Sequence, residues 1–549
     1  MKKVLVSIIC LISFSAIDIH AQMVWENYKN EIYNYLGRMS QKGIISFNDV
    51  VLPLTRTYIH DKLEELNDQQ DKLSNVEKQE LSFYRREYAA GYFDDKNDSV
   101  KTSLLKNDIN KRWRGLTIAS KSLYFTVDPV IQLSVNSYNG KSFYHRGSGV
   151  NGWAKIGNHF GLQFYVNDVY ENRDGTGLDS FNYKGSQPAQ VMLGDTSNHS
   201  RLNYTECRAS IGYEWKNGSI SAGLDNLIWG YGVNGKIILS DKAPLYPYLR
   251  LDYQPFKWMK FNYTHSWLNS NVIDSTNSYS FGNPTYGGHR TSYVPKFMAL
   301  HSLIITPKKG IDIGLGESIV YSDRMDIGFL IPVMPFKFYD NNASNYTITA
   351  GNNSQFFFLL SLKNIIPKTH VYSNLFIDEM RVSKIFSKDS SRNQIGFNVG
   401  IAVNDILIPY LTLSTEYTRV NPFVYNNLNP AQNYTNHSFN LGDWMGNNFD
   451  RIIFDAKYTP VARLKLEARY QYIRKGPSYT TDQQYFQQPQ PKFLESTVYS
   501  QSDLLLKMSY EWKHNIYFQA FYNYQKTNFK TSSTSNAYNN FSVAVNFGL

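Results

Sequence analysis

Cysteine is scarce in this sequence of 549 residues, which has only Cys10 and Cys207. Cys10 falls in residues 1–21, which have the basic start, apolar middle and short cleavage region of a secretory signal peptide. Once that segment is removed, a single cysteine remains and no disulfide can form within the chain. The sequence therefore predicts an exported protein that does not depend on disulfides.

Long apolar runs are also missing after the signal segment, so no transmembrane helix is predicted. Charged residues make up only 19% of the chain, whereas aromatic residues make up 15%, with 42 Tyr and 33 Phe. Strands of a membrane barrel need apolar side chains at every second position only, with aromatic residues at both membrane interfaces. This composition favours an outer-membrane β-barrel over a soluble enzyme.

The formal net charge of +10 is spread along the chain. We expect no nucleic-acid partner, because the protein is exported and its basic residues do not cluster; outer-membrane lipid and an acidic polysaccharide fit better. No zinc-protease, CxxC or GxSxG motif is present, so neither a catalytic site nor a cofactor or metal is predicted. A hydrolase site of dispersed Ser, His and Asp residues at the barrel rim remains an alternative.

The first part of the mature chain, residues 22–115, has apolar residues at helical spacing. Thr55 is a good N-cap, and Ser74 with Glu77 forms a capping-box pattern. We expect a small helical domain that is either a periplasmic cap or a plug for the barrel. Residues 116–129 are predicted to be a lead-in segment outside the barrel wall, because a nineteenth strand would place the two ends of the chain on opposite sides of the membrane.

From residue 130 to 549, apolar residues recur at every second position, as in a strand with one apolar and one polar face. In one such strand Lys465, Glu467 and Arg469 alternate with apolar residues and are predicted to face the lumen, whereas the apolar positions face lipid. Short turns and long loops alternate along the chain, which is typical of outer-membrane barrels. Eight turns and nine loops predict about 18 antiparallel strands.

One residue, Glu317, falls on the lipid-facing parity of its strand. Either a bulge at Gly314–Gly316 reverses the register, or Glu317 lies above the lipid. The segment Gly230–Lys236 matches two phosphate-binding patterns, but no βαβ unit surrounds it. Its glycines are interpreted as permitting a tight turn close to the barrel wall.

The long loops combine aromatic rings with amides, hydroxyls and carboxylates, which suits sugar binding but is also common in barrel loops. Trp229 and Tyr231 are the candidate polysaccharide contacts, since both fall in a predicted external loop. His265, His289 and His301 flank another long loop and are interpreted as polar lining residues.

Several segments resemble the capsule-assembly Wzi family of outer-membrane proteins. They are Leu224–Gly232 with Ile237–Pro244, Tyr372–Glu379, Glu416–Tyr417 with Asn421–Tyr425, Leu441–Asn448, and Tyr35–Ile44 with Pro53–Arg56. The resemblance implies an 18-stranded barrel, plugged by N-terminal helices, that binds surface polysaccharide in a lectin-like way and helps to retain capsule. A related branch is similar to RemB, a surface component of gliding motility.

Four functions therefore remain open: a polysaccharide-binding protein of capsule assembly, a porin-like channel for small solutes, a component of gliding motility, and an outer-membrane hydrolase. The sequence does not specify the polysaccharide or the oligomeric state.

Overall fold

The computed structural model describes residues 23–91, 100–172, 201–282, 288–347, 351–379, 394–487 and 489–548, so the predicted signal peptide lies outside the described residues. Within these ranges, eighteen antiparallel strands pair in chain order and close into a barrel. The last strand pairs with the first, with Phe547 opposite Ile131. The predicted strand number is confirmed. Among the described residues, no helix is both long and apolar enough to span a bilayer.

The wall strands are numbered here in chain order. They are β1 Leu123–Tyr138, β2 Lys141–Ile156, β3 Phe160–Asn172, β4 Arg201–Trp215, β5 Gly218–Asp225, β6 Tyr246–Phe256, β7 Met259–Ile273, β8 Tyr293–Lys308, β9 Ile311–Ser322, β10 Asn353–Lys363, β11 Thr369–Glu379, β12 Gln394–Asn404, β13 Leu411–Val420, β14 Phe449–Tyr458, β15 Leu464–Lys475, β16 Tyr499–Lys513, β17 Ile516–Phe529 and β18 Thr534–Phe547.

An apolar belt covers the outside of the wall. On β1, Ile131, Leu133 and Val135 are exposed outward, and on β18 Phe541 and Val545 are exposed in the same way. Successive side chains of a strand point to opposite faces, so the alternate positions point into the lumen. This arrangement fits a barrel that lipid surrounds.

The helical domain is smaller than the predicted range 22–115. Its helices are α1 Ile32–Gln41, α2 Arg56–Asn67 and α3 Asn75–Tyr88. Thr55 caps α2, and Ser74 with Glu77 forms the expected capping box at the start of α3. The residues that follow Val100 instead form a hairpin of two strands, Lys101–Asn107 and Trp113–Ala119.

The predicted lead-in segment, residues 116–129, is corrected by this hairpin. Its second strand pairs with the start of β1, with Leu116 opposite Val127 and Ala119 opposite Tyr124. β1 is longer than its neighbour β18, which reaches back only to Ile131. The hairpin therefore pairs with backbone of β1 that would otherwise form an open sheet edge.

Two long connections on the external side fold into the lumen instead of projecting outward. Ile237, Ile238 and Leu239 in the connection between β5 and β6 are fully buried, as are Tyr434 and Leu441 in the connection between β13 and β14. They pack in one apolar cluster with inward-facing wall residues. The short strand Ile228–Trp229 pairs inside the barrel with Val51–Leu52 of the N-terminal domain.

The 3-10 turn Gln70–Lys72 lies between α2 and α3. The remaining elements belong to connections between wall strands. They are α4 Phe336–Thr347, α5 Thr481–Phe486, the 3-10 turns Ile327–Leu330 and Pro430–Gln432, and the paired short strands Tyr279–Ser280 with His289–Arg290 and Thr435–Asn436 with Phe439–Asn440.

Both explanations offered for Glu317 are wrong. The pairing of β9 with β10 runs without a register shift from Ile311 to Val320, so no bulge reverses the direction of this side chain. Glu317 lies on the outward face of the wall at mid-strand, yet it is buried. The connection between β9 and β10 covers it from outside, because the backbone N–H of Phe336 donates a hydrogen bond of 2.6 Å to its carboxylate.

Candidate functional site

The predicted polysaccharide contacts Trp229 and Tyr231 lie inside the barrel. Trp229 is only 1% exposed, and its ring centroid lies 6.5 Å from that of Phe357 on the wall. The prediction that these rings lie in an exposed external loop is therefore wrong. The physical reason is that the connection is apolar enough, through residues such as Ile238, to be more stable packed in the lumen than in water.

Tyr231 joins three parts of the molecule. Its hydroxyl donates a hydrogen bond of 2.6 Å to Asp49 of the N-terminal domain. The Lys363 ammonium, at the end of β10, lies 2.5 Å from the same carboxylate. Burial by itself raises the pKa of Asp49, but the charge and hydrogen bonds of Lys363 and Tyr231 outweigh burial and hold it below its ordinary value. An ionised Asp49 thus links the loop, the domain and the wall.

The glycine segment makes a tight turn against the wall, as predicted. Gly230 has a positive φ of 89°, and a Cβ placed there would lie 2.8 Å from the Asn374 side chain of β11. The backbone N–H of Val233 donates to Glu416 of β13. Lys236 donates to the carbonyl of Gly232 within the same turn. The glycines allow the backbone of this turn to lie close to the wall.

Charged groups join the N-terminal domain to the barrel near the periplasmic turns. Arg38 of α1 forms an ion pair with Asp405, and Lys465 of β15 lies 2.5 Å from the fully buried carboxylate of Glu80. Glu467 and Arg469, further along β15, lie 3.8 Å apart and point to the same side as Lys465. The structure thus places all three of these residues in the lumen.

Glu87 at the end of α3 is the centre of a second charged group. Its carboxylate lies 2.8 Å from each of Arg56, Arg114 and His514. Burial by itself raises the pKa of Glu87, but Arg114, His514 and Arg56 outweigh burial and hold it well below its usual range. This carboxylate therefore stays charged and binds the helical domain to the hairpin and to the turn between β16 and β17.

Two polar cavities remain between the domain and the wall. One of about 430 Å³ is lined by residues that include Arg38, Tyr231 and Lys465. The other, of about 380 Å³, is bordered by Glu87 and Arg114. Both are the size of small-molecule pockets, but their linings are ionic rather than apolar.

At the external rim lies a group of rings and a cation that sequence reasoning did not single out as a site. It is here called the rim cluster and consists of Arg419, near the end of β13, with Phe423, Tyr479 and Phe493 of the external loops. The guanidinium carbon of Arg419 lies 3.8 Å from the centroid of the Phe493 ring. The rings of Phe423 and Tyr479 are 5.6 Å apart. The only signal in the sequence was the mixture of aromatic and amide residues in these loops.

Asn448 holds the loops of the rim cluster together. Its backbone N–H donates to the carbonyl of Asn421, and its side chain bonds to both Pro477 and Leu494. The three rings of the cluster therefore lie on two connections that are fixed to each other. Phe423 is buried, whereas Tyr479 and Phe493 are partly exposed. Partly exposed aromatic rings beside a guanidinium and amides can stack on sugar rings and pair with their hydroxyl or carboxylate groups.

A closed barrel with an apolar outer belt, a polar wall interior and connections packed into its lumen defines an outer-membrane β-barrel protein. The sequence profile of the family described as "Capsule assembly protein Wzi" matches residues 132–540. The chain therefore belongs to this family, and it is a protein of the outer membrane. No protein of curated function matches it in sequence.

Three solved structures resemble this chain to different degrees. Wzi of Escherichia coli, described as a carbohydrate-binding β-barrel involved in group 1 capsule assembly, superposes with a TM-score of 0.58 at 13% identity, covering 96% of this chain and 100% of that one. OccAB2 of Acinetobacter baumannii (TM-score 0.43, 10% identity) covers 77% of this chain and 97% of its own. OpdK of Pseudomonas aeruginosa (TM-score 0.43, 8% identity) covers 77% of this chain and 98% of its own. The likeness to Wzi concerns the fold, and the two lower scores establish no common fold.

Proposed function

We propose that this protein binds surface polysaccharide through its external loops and so helps to retain capsule on the cell. Membership of the capsule assembly family supports this role. The observation that carries it is the rim cluster, where Arg419 near the end of β13 lies against Phe493 of a loop that Asn448 fixes in place. Many weak contacts of this kind, repeated along a polymer and over many barrels, give strong retention.

The protein acts by binding alone in this proposal, without bond-making chemistry. Loss of the protein then leaves polysaccharide synthesis intact and releases the product into the medium. The first test is the ratio of cell-bound to released polysaccharide in a deletion strain that carries either the wild-type gene or none. An unchanged ratio would remove the retention role and leave a motility or transport role.

The second test addresses the rim cluster with single substitutions in the restored strain. Arg419→Ala and Phe493→Ala should each lower the bound fraction, because each removes one partner of the stacked pair. Lys492→Ala is the matched control, since it removes an exposed cation from the same loop as Phe493. Equal retention by all three variants would place polysaccharide binding elsewhere on the loops.

We also infer that the N-terminal domain is a plug rather than a detached cap. Its contacts with lumen-facing groups, such as Lys465 with Glu80 and Lys363 with Asp49, support this position. A filled lumen favours adhesion over diffusion of solutes. The porin-like alternative requires a continuous path, for which conductance is the direct measurement.

A further inference from the structure

The connection that follows β9 lies against the outside of the barrel. Its residues Phe329 and Phe336 are buried against Tyr263, Phe297 and Tyr321 of the wall. These wall residues belong to the outward face, because Met298 and Val320, the neighbours of Phe297 and Tyr321 in sequence, are part of the lumen cluster. The stretch Asp323–Phe338, here called the outer-wall segment, thus leaves the external rim and descends along the lipid side.

The outer-wall segment reaches the middle of the wall. It contacts Glu317, the seventh of the twelve residues of β9, which lies opposite His301 on one side and Phe356 on the other. A strand of about 9–11 residues crosses the hydrocarbon layer, so this level lies well inside it. Two outward side chains beside Glu317 are open to lipid, namely Leu315 at 57% and Phe356 at 44% exposure.

Irregular backbone at this depth requires partners within the protein, because hydrocarbon offers no hydrogen bonds. Three outward-facing wall side chains supply them. The Tyr263 hydroxyl donates to the carbonyl of Phe329 at 2.8 Å, and Nδ1 of His301 lies 2.8 Å from the carbonyl of Pro332. Glu317 accepts from the N–H of Phe336 at 2.6 Å. The polar residues at these outward-facing strand positions thus supply hydrogen-bond partners to the backbone of the segment.

Within the segment, short turns satisfy further backbone groups. The N–H groups of Phe329, Ile331 and Met334 donate to carbonyls three residues earlier in the chain, and that of Tyr339 donates to Pro335. Nε2 of His301 lies 3.1 Å from Glu317. The carboxylate of Glu317 thus has a polar partner on the wall as well as the backbone of the segment. The buried face of the segment therefore suits an apolar surrounding.

The opposite face of the segment is open, and its large exposed side chains are mostly apolar: Ile327 at 73%, Ile331 at 42%, Val333 at 74% and Phe338 at 76%. Its charged residues are the exposed Asp323 and Arg324 at the rim end and the partly exposed Lys337, whose ammonium lies 3.7 Å from Asp340. We infer that the outer-wall segment is a lipid-binding element whose open face inserts among the acyl chains of the outer leaflet. Its continuity with the exposed belt at Leu315 and Phe356 identifies acyl chains as the occupant. Acyl chains are also a more favourable surrounding than water for these four side chains, because the burial of apolar surface is favourable.

The test uses single cysteines in the full-length protein in phosphatidylcholine vesicles, with Cys207→Ala as the background. Val333→Cys and Phe338→Cys are labelled with an environment-sensitive fluorophore. Lipids with a nitroxide on the acyl chain quench from the hydrocarbon, and iodide quenches from water. Leu133→Cys in the wall is the lipid control, and Ser275→Cys in an exposed polar loop is the water control.

We expect acyl-chain quenching at positions 333 and 338 as strong as at 133, with iodide quenching confined to 275. Iodide quenching at 333 as strong as at 275 would place the segment in water and overturn the inference. Protection from both quenchers would mean that a second copy of the chain covers the face, which also overturns it. Glu317→Ala should abolish acyl-chain quenching at 333 but leave that at 133 unchanged, since it releases the segment and not the wall.

Discussion

The hydroxyl of Tyr231 donates a hydrogen bond of 2.6 Å to the carboxylate of Asp49, although the two residues enter the barrel from opposite ends. Tyr231 belongs to a connection on the external side, and Asp49 belongs to the N-terminal domain. Lys363 of the wall completes the contact. These two segments therefore hold each other within the lumen, and they form part of the closure that we propose for the barrel.

Tyr231→Phe should loosen this closure. It removes the hydroxyl and leaves a buried carboxylate with one partner fewer, which we expect to cost about 1.5–3 kcal/mol because the bond is to a charged group. Trp229→Ala should cost about 3–5 kcal/mol through a cavity in the lumen cluster. Protection of the N-terminal domain from protease measures the effect of each substitution. Tyr279→Phe, on an exposed hairpin, is the control and should change nothing; equal protection in all variants would contradict the prediction.

Lys465→Met should destabilise docking of the N-terminal domain by up to about 3–5 kcal/mol, because the buried Glu80 loses its cation. Glu80 must then either stay charged without that cation or take up a proton, which burial already favours by raising its pKa. Hydrogen exchange of the α3 amides reports this free energy. Lys62→Met breaks a pair with Glu65 on the surface of the same domain and should cost at most about 1 kcal/mol. Similar exchange rates in the two variants would show that the pair with Glu80 does not hold the domain.

Acid should release the domain only at unusually low pH. Because the pKa of Glu87 is held well below its usual range, its stabilisation is complete above the ordinary value of about 4.3 for an exposed Glu. This stabilisation is lost only as the pH falls through the lower pKa that Glu87 has in the folded protein. We expect Glu87→Gln to be less protected from protease than wild type at pH 7, with the difference shrinking toward the acid limit. A constant difference at every pH would contradict this assignment.

Removing one closing segment should raise conductance only slightly. Deletion of residues 24–91 leaves the external connection with Ile237–Leu239 in the lumen. Deletion of residues 24–91 together with both inward-folded connections should open a wide pore, since eighteen strands enclose water when nothing fills them. Planar-bilayer recordings measure each form. A large pore in the intact protein would instead support the porin-like function.

The strand number was predictable because it depends on local features. Alternation along stretches such as Leu464–Lys475 and the lengths of the turns are visible within about a dozen residues. The inward folding of Trp229 and Tyr231 was not predictable, since it depends on Asp49 and Asn374, which lie far away in sequence. The prediction that the Glu317 side chain points away from the lumen was correct. The segment that covers it could not be predicted, because its sequence has no periodic apolar pattern.

The short strand pair of Val51–Leu52 with Ile228–Trp229 also fixes an order of assembly. Its two halves approach from opposite ends of the barrel, so they can meet only when the wall on both sides of the connection is already in place. Pairs this far apart in sequence form slowly, because a long chain must be ordered first. Burial of the Trp229 indole is therefore expected to mark the final folding event, and a barrel halted before it would be inserted in the membrane but still leaky.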